Sequence, residues 1–213
     1  MKKSILTGTV LSSFFLAGCV FGGSPEEDIT EVLDSTVEKE QEYVDSQEPI
    51  KALEQEEQEL FTNVMSLDME EFEEIESLAD EALENLDQRE EHISTEADSM
   101  QEAEEEFMAI EDSVQDLEDE ALKAHVEEMV TTMTERYELH SEFVDQYMTG
   151  IEYDRELYTM LKDSELELEE LEGQIEKINS QYSTITEKNE AFNGKTDDYN
   201  ELKSEYYSMI EEE

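Results

Sequence analysis

The apolar residues of this chain recur in alternating steps of three and four. One stripe runs Phe72, Ile75, Ala79, Ala82, Leu86, Ile93, Met100, Ala103, Phe107, Ile110, Val114 and Leu117, interrupted at Arg89 and Glu96. A second runs Leu122, Val126, Met129, Met133, Tyr137, His140, Val144, Tyr147 and Ile151, with Tyr158 and Leu161 beyond. A third runs Leu168, Leu171, Ile175, Ile178, Tyr182, Ile185, Asn189, Phe192, Thr196 and Tyr199, and resumes at Tyr206 and Ile210. This spacing lines up one face of a helix. Sustained over several heptads, it is the pattern of helices packed nearly parallel or antiparallel. The extra four-residue step in the second stripe predicts a local unwinding of its supercoil.

The stripes are separated by helix-start signals. Asp68 with Glu71 three residues on reads as an N-cap, Asp119 or Glu118 starts the next helix, and Asp163-Ser164 precedes the last. Pro25 and Pro49 are the only prolines, and after Pro49 glycine occurs only at Gly150, Gly173 and Gly194. Long helices follow, since the strong breakers are absent. The early segment has its own periodicity (Ile29, Val32, Leu33, then Ile50, Leu53, Leu60, Val64, Leu67). It is interrupted at Gln47-Glu48-Pro49, where proline fits the first position of a new helix. The three later helices should each run roughly 40–48 residues, or about 60–70 Å. The fold expected over residues 26–213 is therefore all-α: an elongated antiparallel up-and-down bundle of four helical lengths, the first broken near Pro49. The rival is a three-helix rod with the early segment loosely attached.

Ahead of the helices, Lys2 and Lys3 precede an apolar stretch from Ile5 to Phe15, too short to span a bilayer comfortably. It ends in Leu16, Ala17, Gly18 and Cys19, the lipobox pattern of an aliphatic residue, two small residues and cysteine. Residues 1–18 read as a lipoprotein signal peptide. Cys19 is the single cysteine of the chain and reads as the lipidated residue, so no internal disulfide competes for it. Residues 19–25 then form a lipidated, Gly-Gly-containing tether. Two acyl chains hold a protein stably where one binds only marginally. The expected location is the outer face of the cytoplasmic membrane.

Charge narrows the partners. The formal net charge is −50, and it becomes −52 when Lys2 and Lys3 leave with the signal peptide. No basic footprint for nucleic acid exists. Residues 69–117 hold 20 acidic groups against Arg89 alone, while residues 162–213 hold 16 against 5 basic ones. The last helix is thus the least repulsive neighbour for the most acidic one. Adaptation to salty or alkaline surroundings is one expectation for this acidity, and divalent-cation binding is the alternative, although no EF-hand loop is present.

Candidate chemistry is sparse. Arg89, Leu122 and Tyr137 stand three residues before His92, His125 and His140, so the Glu-x-x-His pair of di-iron bundles is missing at every histidine. No His-Glu-x-x-His occurs. His125 beside Glu127 and Glu128 offers at most a weak metal contact, and His140, on the apolar stripe, reads as a hydrogen-bonded core residue. Met129 and Met133 likewise read as core. There is no Gly-x-Ser-x-Gly elbow and no phosphate-binding loop, and carboxylate pairs without a cleft do not make a glycosidase. No enzyme, metal site or cofactor is expected beyond a diacylglyceryl lipid on Cys19. Arg89, the one base of the most acidic helix, occupies a stripe position and is a candidate for a buried ion pair that fixes register. Asn189 is its counterpart in the last helix.

Several segments, taken in order, resemble the YkyA-type cell-wall-binding lipoproteins of Gram-positive bacteria. They are Glu59-Leu60-Phe61, Met69-Glu70-Glu71-Phe72, Leu86-Asp87-Gln88-Arg89-Glu90, Glu135-Arg136-Tyr137, Glu156-Leu157-Tyr158-Thr159-Met160-Leu161, Leu168 to Ile175, Ile178-Asn179 and Asn189 to Asn193. The likeness runs from the lipobox to near the C-terminus. It implies an all-α bundle outside a Gram-positive membrane, facing the wall, and carries over no catalytic or ligand residue. This chain is far more acidic than the family pattern, so anionic wall polymers would repel it unless divalent cations bridge them. The function expected is a lipid-anchored interaction module without catalysis that contacts peptidoglycan or an envelope protein. The alternative is a solute- or divalent-metal-binding lipoprotein.

Overall fold

The computed structural model describes residues 23–211, so the expected signal peptide, the lipobox (Leu16, Ala17, Gly18) and Cys19 lie outside the described residues. The helices are α1 (Pro25–Lys39), α2 (Gln41–Val64), α3 (Phe72–Phe107), α4 (Ile110–Asp116), α5 (Glu120–Met160) and α6 (Leu168–Glu211). Among the described residues there is no strand. The chain runs up through α1 and α2, down through α3 and α4, up through α5 and down through α6. The expected bundle of four helical lengths is therefore the one observed, and the three-helix alternative is not. At 1.5 Å per residue, the 41 residues of α5 span about 60 Å.

The predicted caps hold. Asp68 and Glu71 form a capping box over a short 3₁₀ turn, Met69–Glu71, and Asp119 Oδ1 accepts from the amides of Ala121 and Leu122. Ser24 and Glu27 form a second capping box with Pro25 in the first turn, so the helical domain begins with residues assigned above to the tether.

The break in the first length stands elsewhere than expected. Pro49 lies inside α2, and the interruption is one residue, Glu40, between α1 and α2. A side chain from α3 explains it. Ser99, buried against this point, donates from Oγ to the Lys39 carbonyl (2.6 Å) and accepts from the Tyr43 amide (3.1 Å). Those two backbone groups would otherwise bond to each other across one helical turn. The hydroxyl is inserted into the ladder, an identifiable cause of a helix break. A second interruption, at Met108-Ala109, divides α3 from α4, although Phe107, Ile110, Val114 and Leu117 all stay buried as one stripe.

The core forms two stacked clusters. At the end where α1 begins and α6 finishes, Ile29, Leu33, Phe107, Met129, Tyr137, Phe192, Tyr199 and Tyr206 pack together, so all four lengths meet there. At the opposite end Ile50, Leu60, Val64, Ile75, Leu86, Tyr147, Leu157, Tyr158 and Ile185 form the second cluster. Helix α5 is the central element. Helix α6 is peripheral: Leu171, Ile175, Ile178 and Tyr182 are only half-buried and Leu168 is exposed, despite the regular stripe. It packs closely on α5 at Gly150, where an added Cβ would stand 2.9 Å from Ile185 Cδ1.

Candidate functional site

Polar groups enter the core in layers. The deepest surrounds Arg89, 1% exposed. Its Nε and Nη2 donate to Tyr147 Oη (3.2 and 2.8 Å), and Nη2 also donates to Tyr182 Oη (3.2 Å). Each phenol donates a hydrogen bond to a carboxylate: Tyr147 to Glu54 (2.7 Å), Tyr182 to Asp154 (2.6 Å), and nearby Tyr158 to Glu57. The Glu54, Glu57 and Asp154 carboxylates stand 3.9–4.0 Å from the guanidinium. Arg89 Nη1 makes no hydrogen bond of its own and faces Glu57 and Asp154 at that range. One guanidinium thus faces three carboxylates. Burial, reinforced by the Glu57 charge, raises the Asp154 carboxyl to about 6 against the pull of Tyr182 and Arg89. Burial likewise pushes the Tyr147, Tyr158 and Tyr182 phenols up, which keeps them proton donors.

Two further layers follow. His140 Nε2 lies 2.9 Å from Glu96 Oε1, both side chains being buried, and Gln47 Nε2 donates to the other Glu96 oxygen at 2.7 Å. The predicted core histidine and the interruption of the first stripe at Glu96 are therefore partners. Arg136 holds Glu40 through both oxygens (2.6 and 3.0 Å), with Tyr137 Oη donating to the same carboxylate and the Phe192 ring 5.0 Å from the guanidinium.

Of the two expected polar pairing residues, Arg89 is buried and paired across helices. Asn189 is half-buried, and its oxygen accepts from Asn193 one turn on in α6, so the bond it makes crosses no helix boundary. The reason is the peripheral seat of α6. His125 Nε2 lies 2.8 Å from the Leu202 carbonyl and bridges α5 to α6, while Met129 and Met133 are core. Arg136 and Asp154 lie off the predicted stripe. The signal that marks them is the breadth of the buried face a central helix must have. Among the described residues no three His, Cys, Asp or Glu side chains gather as a metal ion would require.

The surface cations are committed. Of the 13 Lys and Arg residues, Lys2 and Lys3 lie outside the described region. Lys39, Arg155, Lys162, Lys177, Lys188 and Lys195 each join an acidic group on a neighbouring helix: Glu102, Asp87 with Glu90, Asp80, Glu156, Glu142 and Glu135. Lys51 meets Glu48, Lys123 donates to the Gln115 carbonyl, and half-buried Lys203, its ammonium held low by burial, faces Asp34 and Glu40. The concavities are shallow. The two best formed are a depression on α2 lined by Gln55, Gln58, Glu59, Thr62 and Asn63, and a groove beside Glu104, Tyr137 and Ser141.

Comparison with known proteins locates this architecture. Residues 24–209 match the model of the family described as "YkyA: Putative cell-wall binding lipoprotein". The chain belongs to the YkyA family. The match takes in every helix and polar layer described above. A solved structure, the 1.6 Å crystal structure of a conserved protein of unknown function from Staphylococcus aureus, superposes with a TM-score of 0.58. It is 14% identical, and the likeness covers 88% of this chain and 97% of that one; it shows the shared fold alone. No curated protein matches significantly. No described helix is long and apolar enough to cross a membrane.

Proposed function

We propose that this protein is a lipid-anchored, non-catalytic module that stands on the outer face of the cytoplasmic membrane and contacts the cell wall. The observation that carries this reading is the polarity of the rod. Ser24, five residues after Cys19, caps α1 at one end, together with the α4–α5 connection and the end of α6. The two loops closing α2–α3 and α5–α6 stand at the other end, about 60 Å away along α5. Thioether attachment of a diacylglyceryl group to Cys19 would fix the first end at the bilayer and project the second outward. The acidic faces support an upright rod, because an anionic membrane surface repels them. The shallow concavities favour contact with a polymer or protein over enclosure of a solute.

Co-sedimentation with purified sacculi tests wall contact. Retention is expected with Mg²⁺ present and loss on chelation, since acidic groups far outnumber cations on this chain and anionic polymers need a bridging ion. Failure to co-sediment at any Mg²⁺ or salt concentration would overturn wall binding.

A further inference from the structure

One motif recurs around Arg89. Its Nη2 and Glu54 Oε1 stand 4.0 Å apart, and the Tyr147 hydroxyl fills that gap, accepting from Nη2 at 2.8 Å and donating to Oε1 at 2.7 Å. Tyr182 does the same between Nη2 and Asp154 Oδ2, accepting at 3.2 Å and donating at 2.6 Å. The other terminal nitrogen, Nη1, faces Glu57 Oε2 at 4.0 Å and Asp154 Oδ2 at 3.9 Å, yet no hydroxyl of the protein joins them. Tyr158 is turned to the second Glu57 oxygen, Oε1. Arg89 is almost wholly buried, and a buried charged donor left without a partner loses the hydration it had in the unfolded chain. The charges do not close on one another, because each is held from another side: the guanidinium by Tyr147, Asp154 by Tyr182 and Glu57 by Tyr158.

The chemistry of this corner selects its ligand. The group that completes it must accept one hydrogen bond from Nη1 and donate two, one to each carboxylate. A halide would meet two carboxylates at contact. A metal ion or an ammonium has no lone pair for the guanidinium, and an alcohol has one proton for two acceptors. Water has the right count, and two hydrogen bonds of about 2.8 Å through one oxygen span about 4–4.5 Å. We infer that Arg89 Nη1, Glu57 Oε2 and Asp154 Oδ2 form a binding site for one internal water, which takes the part that the Tyr147 hydroxyl plays toward Glu54. Three bonds are the usual complement of a buried water. This one joins α2, α3 and α5 at a single point, so it belongs to the core as a fixed ligand.

Oxygen-17 relaxation dispersion counts waters that stay bound for longer than the protein tumbles. It is recorded on the mature chain in detergent at about pH 8, where Asp154 is ionised. Asp154→Glu adds one methylene, carries the carboxylate across the gap to Nη1 and takes the water's place. Its dispersion should lose the amplitude of one water. Asp87→Glu, the same extension at an exposed partner of Arg155, should lose none. An unchanged amplitude in Asp154→Glu, with its melting curve confirming the fold, would overturn the inference. A high-resolution crystal structure of the parent chain decides the matter whether or not that variant folds. A solvent peak within hydrogen-bond distance of all three atoms is expected. Direct contact of Nη1 with Glu57 or Asp154, with no peak between them, would overturn the site.

Discussion

Asp154 and Arg89 show how a chain this acidic still places acids in its core. The Asp154 carboxyl, raised to about 6, binds its proton more tightly in the folded chain than in the unfolded one. Its contribution to stability is full below the ordinary carboxyl value of 3.8 and is lost as pH rises through about 6. Asp154→Asn removes that dependence. Relative to the parent, the variant should gain at most about 3 kcal/mol on going from about pH 4 to about pH 8, from roughly two units at 1.36 kcal/mol each. Urea unfolding at the two pH values measures it, and a pH-independent difference would contradict the assignment. Arg89→Met leaves Glu54, Glu57 and Asp154 without their shared cation. A loss of about 3–5 kcal/mol is expected at neutral pH, shrinking toward pH 4 as Asp154 protonates. Sequence made part of this visible: Arg89 broke an apolar stripe, and a lone base at a buried position demands acids. It could not show which acids, because Glu54, Glu57 and Asp154 are three among 63 acidic residues, and only the packing of α2 and α5 around α3 distinguishes them.

Among the elements, the periodicity of three and four was sufficient for the four helical lengths and their directions, since caps at Asp68 and Asp119 mark the turns in local chemistry. The break in the first length was illegible for a physical reason. Pro49 loses one backbone bond locally and stays in its helix, whereas the hydroxyl that opens the ladder at Glu40 comes from Ser99 on another helix. Ser99→Ala should therefore cost about 1–2 kcal/mol, or let α1 and α2 merge, and the Tyr43 amide reports which. Faster hydrogen exchange there marks an orphaned group; slower exchange marks a continuous helix. In α6, Gly173 and Gly194 have nothing within 4 Å of an added Cβ. Alanine at each should stabilise by about 0.8–1 kcal/mol through helix propensity. Gly150→Leu should destabilise instead, because Ile185 already occupies that space.

For the whole molecule, charge and polarity are the governing features. A rod of net −52, once Lys2 and Lys3 are gone, repels itself, and its inter-helix lysine and arginine bridges offset only part of that. Its melting temperature should rise between about 0.01 M and about 1 M NaCl, as the Debye length falls from about 30 to about 3 Å. A melting temperature indifferent to salt would contradict this. A lipid-anchored rod that stands away from the bilayer with its loops outward has a measurable height. Ser164→Cys or Ser208→Cys supplies one free thiol in the mature chain, because Cys19, the only native cysteine, would carry lipid. With the lipidated protein in supported bilayers, energy transfer from each label to a membrane acceptor reads its distance. The Ser208 label should lie near the bilayer and the Ser164 label higher by about 60 Å, the rise of the intervening part of α6. Equal transfer from both positions would mean a rod lying flat, and would contradict it.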